Sequence, residues 1–135
     1  MSGETNLNTL LQSMQPVLCQ GEYVFCSISD RDNSYVRLNP VCIFKENEGT
    51  TLIIRREQAD AVALSYTSVF SLITLSVHSS LEAVGFLAAI TGKLAEHNIS
   101  VNAVSAYYHD HLFVPVSRTQ EVMMLLQEFS SGILR

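Results

Sequence analysis

Charge is scarce in this chain. Only 16% of its 135 residues are charged, against 47% hydrophobic, and the mean hydropathy is positive. That supplies ample material for a core and little for a surface. A small domain so poor in charge is expected to cover part of its apolar surface with another copy of itself, as a homodimer or higher homo-oligomer. Positive charge is scarcer still: 8 Lys and Arg stand against 13 Asp and Glu, for a net charge of −5. No basic run exceeds Arg55-Arg56. Phosphate backbones demand clustered cations, so nucleic acid is not an expected partner. Nor is a membrane, because no apolar stretch approaches the roughly 20 residues that span a bilayer. The start, Met1 to Thr5, is polar and acidic where a secretory signal is basic and then apolar. Cys19, Cys26 and Cys42 are odd in number and lack C-x-x-C spacing. They read as reduced, buried thiols of a cytoplasmic protein. Catalytic signatures are missing too: there is no G-x-S-x-G, phosphate loop, dinucleotide fingerprint or H-E-x-x-H. His78, Ser79 and Ser80 are adjacent, and adjacent residues seldom reach triad geometry. A non-catalytic protein without a cofactor is the expectation.

What is present is clear hydrophobic periodicity. Leu7, Leu10, Leu11 and Met14 share one helical face, with Asn6 as N-cap and Pro16 beyond the end. Residues 22–29 are rich in strand formers, and 30–40 is polar and turn-like. Val41–Lys45 and Thr51–Arg55 flank Glu46–Gly49 as a hairpin, and Glu57–Leu64 suits a short helix. Val69–Val77 is a strand, followed by a loop from His78 to Val84. Phe86, Ile90 and Leu94 then make Gly85–His97 an amphipathic helix, stopped by Asn98. Strands are expected at 99–108 and 112–116. Ser117 and Gln120 have capping-box spacing ahead of a helix that buries Val122, Leu125, Leu126 and Phe129. The order predicts an α+β protein: antiparallel sheets, one per half or shared, with helices packed on one face.

The second and third of those late strands meet at His109-Asp110-His111. In an extended strand the two imidazoles share a face and can supply two zinc ligands, although a site needs three or four. His78 and His97 are possible thirds, in no recognisable ligand spacing. As a tight turn, the triplet instead becomes a hairpin tip, with Asp110 bonding its own backbone. The histidines are then free to contact a ligand or a neighbouring subunit. Tyr107 and Tyr108 fall on opposite strand faces, one for the core and one for an interface. Arg118, at the start of the last helix, opposes the helix dipole. It calls for an acidic partner such as Asp110 or a ligand carboxylate, or else for solvent. Met123 and Met124 read as core and near-core filler.

Ser79-Ser-Leu-Glu-Ala-Val-Gly85, followed by Phe86 to Val101 with its L-A-E-x-x-I ending, resembles the start of an ACT domain. The order of elements from 69 to about 130 matches the βαββα part of that ferredoxin-like unit. Lys45–Ile54 and Arg56–Asp60 resemble a second, degenerate copy. The resemblance extends to small stand-alone bacterial tandem ACT-like proteins, and to aspartate-kinase and arginine-sensor ACT units. It implies a degenerate N-terminal unit over 1–65 and an ACT domain over 66–135. The final strand of the latter has no convincing candidate, since Gly132–Arg135 is too short. Val84 stands where the family usually places proline before the glycine.

The resemblance also implies a regulatory module whose effector is an amino acid, held between this loop and a neighbouring unit. The ligand contacts expected from it are Ser79, Ser80, Leu81, Glu82, Ala83, Val84 and Gly85. Asn102, or a residue of the opposing unit, would read the amino group, and His109, Asp110 and His111 would be within reach. A glycine at a helix entrance allows close approach of a ligand, and first-turn amides attract a carboxylate. Close helix–strand packing is the plainer use of the same glycine. Two rival expectations remain: a protein-interaction module using the sheet edge, and a metal-dependent enzyme built on His109 and His111.

Overall fold

A computed structural model describes residues 6–29, 34–77 and 80–130. In chain order the elements are α1 (Leu7–Ser13), β1 (Gln15–Leu18), β2 (Tyr23–Ile28), β3 (Cys42–Glu46), β4 (Gly49–Arg55), α2 (Arg56–Ala61), β5 (Phe70–Ser76), α3 (Phe86–Glu96), β6 (Asn102–Ser105), β7 (Asp110–Pro115) and α4 (Thr119–Ser130). Single 3-10 turns occupy Ser34–Leu38 and Val116–Arg118. The fold is α+β with ferredoxin-like units, as the periodicity and the family resemblance predict. The compact units do not follow a cut between residues 65 and 66. Residues 1–20 pack with 71–135, and 21–70 form the other unit.

The unit made of residues 1–20 and 71–135 has strand order β1-β5-β7-β6. Its outer strand β1 runs antiparallel to β5, with Val17 opposite Thr74. The final strand that the sequence could not locate therefore comes from residues 15–18. Pro16 is tolerated there because β1 is an edge strand. Gly132–Arg135, set aside as too short for that strand, lies outside the described residues.

One face of this sheet presents Ile73, Leu75, Leu112 and Val114 to three helices. Each helix answers with the stripe its periodicity dictates: Leu10 from α1 with Met14 at its C-cap, Phe86, Ile90 and Leu94 from α3, Val122, Leu126 and Phe129 from α4. A leucine or isoleucine fully buried in this way contributes about 1.5–3 kcal/mol over an exposed one. The Asn6 side chain accepts from the Thr9 amide at 3.0 Å and caps α1. Asn98 ends α3 in the left-handed region at φ 58°.

Three expectations fail in detail. Ser117–Gln120 does not form a capping box but passes through a 3-10 turn into α4, where Thr119 Oγ1 donates to Val116 O at 2.8 Å. Arg118 pairs with Glu121 at 2.7 Å, not with Asp110. Its guanidinium also donates to His97 O at 3.2 Å, placing a cation at the negative end of α3. Met124 is exposed and fills no core.

The unit of residues 21–70 is thinner. Strands β3, β4 and β2 lie in that order, all antiparallel, and Phe70 alone pairs with Tyr23 as a residual fourth strand. Val24, Cys26, Leu52 and Ile54 point to one face, covered by Ala59 of α2 and by Tyr35 and Leu38 of the 3-10 turn. Where the first unit has an eleven-residue helix after its opening strand, the described residues of this unit have five residues of 3-10 turn. Arg56 links Glu22 at 3.0 Å to Tyr66 at 3.1 Å, and Tyr66 donates to Asp60 at 2.8 Å, tying α2 to the sheet margin.

Candidate functional site

The loop that precedes α3 is organised by Ser80. Its hydroxyl accepts from the Glu82 amide and its carbonyl from the Ala83 amide, both at 3.0 Å. Gly85 then enters α3 at φ 87°, a conformation that excludes ordinary side chains. A Cβ there would meet only Leu7 Cδ2 at 3.7 Å, so the glycine serves the backbone turn rather than close packing. The first-turn N–H groups of α3 have no intrahelical acceptors and make this end electropositive.

Against the loop lies a small cleft of about 80 Å³, lined by Ser80, Leu81, Ala83, Phe86, Leu87, Ser105, Ala106 and Asp110. Asp110 is 8% exposed, and its carboxylate forms no hydrogen bond or salt bridge among the described residues. A carboxylate held in an otherwise apolar and hydroxyl-lined cleft has the charge to pair with an ammonium group. The structure thus brings Ser80, Leu81, Ala83 and Asp110 together. Glu82 and Val84 project into solvent, Val84 with 84% exposure. Asn102 is exposed on β6 opposite Phe113, away from the cleft. Ser79, and His78 with it, lie outside the described residues.

The His109-Asp110-His111 triplet is not a hairpin tip. The turn comes earlier, at Ala106–His109, closed by Ala106 N donating to His109 O at 3.0 Å. Asp110 already pairs with Ser105, and His111 with Val104. Tyr107 and Tyr108 occupy the tip, both exposed and in edge-to-face contact, so neither enters the core. The two imidazoles do share a face, with ring centroids 6.4 Å apart. Each is engaged: His111 Nδ1 with Thr74 Oγ1 at 3.0 Å, His109 Nδ1 with Val77 O at 3.3 Å. Burial pushes the His111 pKa down, the neighbouring His109 lowers it further, and Asp110 partly opposes both. His97, the other described histidine, caps α3 through Lys93 O. No group of three metal-ligating side chains occurs among the described residues.

Cys26 is buried, which pushes its thiol pKa up and leaves it unreactive. Cys19 and Cys42 are half-buried, and Cys19 Sγ lies 3.5 Å from Thr74 Oγ1. Sequence reasoning missed one buried charge altogether. Lys93, on the apolar face of α3, is 7% exposed, bonds Glu128 at 2.5 Å and sits 4.8 Å over the Phe129 ring. Its spacing of three from Ile90 puts it on that face, yet spacing does not reveal a partner on α4.

The ACT domain family matches residues 2–71 and, again, residues 67–128. Among solved structures, a Vibrio cholerae protein of unknown function, VC0802, described as a possible transport protein, is 48% identical. That match covers 92% of this chain and 95% of the other, at a TM-score of 0.85. The regulatory subunit of aspartate kinase from Thermus flavus shares the fold at TM-score 0.60 and 5% identity, over 85% of this chain and 96% of that one. Aspartokinase III from E. coli, solved with aspartate and ADP, matches at TM-score 0.61 and 12% identity, over 84% of this chain and 32% of its own. No curated protein matches the chain.

Proposed function

The chain belongs to the ACT domain family, and from that premise we propose that it is a non-catalytic cytoplasmic sensor of an amino acid. ACT domains are typically regulatory modules that bind small molecules and oligomerise. The observation that carries the amino-acid reading is Asp110, shielded in the cleft beside the electropositive start of α3. The two ends of that cleft complement the two charges of an α-amino acid. The ammonium meets Asp110, and the carboxylate faces the first turn of α3. Sites that enclose a small molecule span about 300–1,000 Å³, so a cleft of about 80 Å³ holds only the head of the effector.

A second subunit would cover the remainder, which makes the effector a bridge and its binding a bias on assembly. In family terms the two sequence units are 1–65 and 66–135, with residues 1–20 lending a helix and a strand to the later one. Titration calorimetry of the full chain with the twenty amino acids tests the reading. Heat from at least one, weakened roughly tenfold or more by Asp110→Asn and unchanged by Glu82→Gln, is the expected result. Silence from all twenty overturns it.

One observation supports the interaction reading alongside. Edge strand β3 exposes Ile43 and Phe44, the latter 64% accessible, which suits pairing with a second copy. Phe44→Lys is expected to shift sedimentation towards the monomer; an unchanged oligomer removes β3 from the interface.

A further inference from the structure

A cavity also lies in the unit of residues 21–70, far along the sequence from the loop before α3. It measures about 450 Å³ and is lined by Ile28, Tyr35, Leu38, Val62 and Leu64, with Ser34, Arg37 and Gln58 among its walls. It lies beside α2, where the described residues between β2 and β3 supply a five-residue 3-10 turn. The volume falls within the roughly 300–1,000 Å³ of small-molecule sites.

The chemistry of the walls is specific. Four aliphatic side chains and one phenol ring supply apolar contact, and Arg37 is the one charged lining residue among those described. Among the described residues Arg37 takes part in none of the salt bridges, in a chain whose net charge is −5. Among the described residues no carboxylate lines the cavity. An ammonium group placed there would meet no carboxylate among the described residues, and burial without a partner is costly, whereas a carboxylate meets a planar guanidinium suited to bidentate pairing.

We propose that this cavity is a second ligand site, for a monocarboxylate with an apolar body and no amino group, such as a branched or aromatic 2-oxo acid. Arg37 receives the carboxylate, Gln58 donates to a neighbouring oxygen, and Ile28, Leu38, Val62 and Leu64 hold the hydrocarbon. The selectivity is opposite to that of the Asp110 cleft, which requires the amino group. The proposal does not depend on that cleft.

The test follows backbone amide shifts of the full-length protein by NMR during titration with 4-methyl-2-oxopentanoate, phenylpyruvate, L-leucine and L-phenylalanine. Saturable shifts confined to residues 34–38 and 56–64, for an oxo acid and at least tenfold weaker for its amino acid, are expected. Arg37 is exposed, so Arg37→Gln leaves the fold intact and weakens the oxo acid roughly tenfold or more. Asp110→Asn leaves that binding unchanged. Absence of shifts in those segments, equal binding of the amino acids, or indifference to Arg37→Gln overturns the proposal. Loss of L-leucine shifts near residues 80–87 bears only on the Asp110 cleft.

Discussion

The two units start from one template and end with different interiors. In the unit of residues 1–20 and 71–135, three helices close over the sheet, and what remains is a cleft of about 80 Å³ with a carboxylate in it. In the unit of residues 21–70, one six-residue helix and a 3-10 turn cover the sheet, and a cavity of about 450 Å³ remains with a guanidinium at its wall. Among the described residues the two units thus differ both in the size of the available space and in the sign of the charge that lines it. A family fold can keep its sheet while its ligand chemistry is rewritten in the helix layer.

That contrast can be broken most directly through core truncations. Leu126→Ala, surrounded on all sides in the filled unit, is expected to cost about 3–5 kcal/mol by chemical denaturation. Leu52→Ala, in the thinly covered unit, is expected to cost about 2–3 kcal/mol, because its surroundings have room to relax. A reversed order would mean that the second unit is the better packed of the two.

The buried pair on α3 and α4 gives the next effect. Glu128→Gln strips the partner from Lys93 and is expected to cost about 2 kcal/mol, lowered from the fully buried case because Glu128 is partly exposed. Lys93→Met in the same background should recover most of that loss, since an apolar chain fits beside Phe129. Failure of the double variant to recover stability would show that Lys93 has a role other than pairing with Glu128.

Gly85→Ala comes next. The added methyl has space, so the penalty is the left-handed backbone alone, about 1–2 kcal/mol. Amino-acid binding at the cleft should fall with it, while oxo-acid binding at Arg37 should not.

The smallest effect is a slope. His111 is held below its ordinary pKa of 6.5, so below pH 6.5 the unfolded chain binds a proton that the folded chain resists. Stability from this group is therefore full above its unfolded pKa. It is lost as pH falls from 6.5 towards the lower folded value, then levels off. His111→Gln should flatten that part of the stability–pH curve, and an unchanged slope would assign the titration to another group.

Local pattern made much of this legible. The stripes Leu10–Met14, Phe86–Leu94 and Val122–Phe129 were readable because each helix buries a face at its own period, though Leu7 of the first stripe stays exposed. The hairpin of β3 and β4 was readable because Glu46–Gly49 punctuates two apolar runs. The turn at Ala106–His109 was not, because two tyrosines favour strands by propensity and only tertiary pairing of Ser105 with Asp110 fixes the register. Strand β1 was hidden by Pro16, which reads as the end of a helix until a partner strand accepts it at an edge. Of the candidate site, the loop and its glycine could be seen in the residues. The cleft, the position of Asp110 within it and the cavity at Arg37 depend on what covers what, which no one-dimensional pattern records.

Strand β1 also sets an order of events during synthesis. Gln15–Leu18 leaves the ribosome before β5 has been made, so a stretch with Val17 and Leu18 must wait without its mate until Ser71–Ser76 emerges. Strands β2, β3 and β4 lie between them in the chain and can pair meanwhile, each with a near neighbour. Residues 15–18 are thus made early yet are among the last to dock, and they pair along one side of β5. A fragment beginning at residue 66 would leave that side of β5 bare, with its amides and carbonyls open to any other chain.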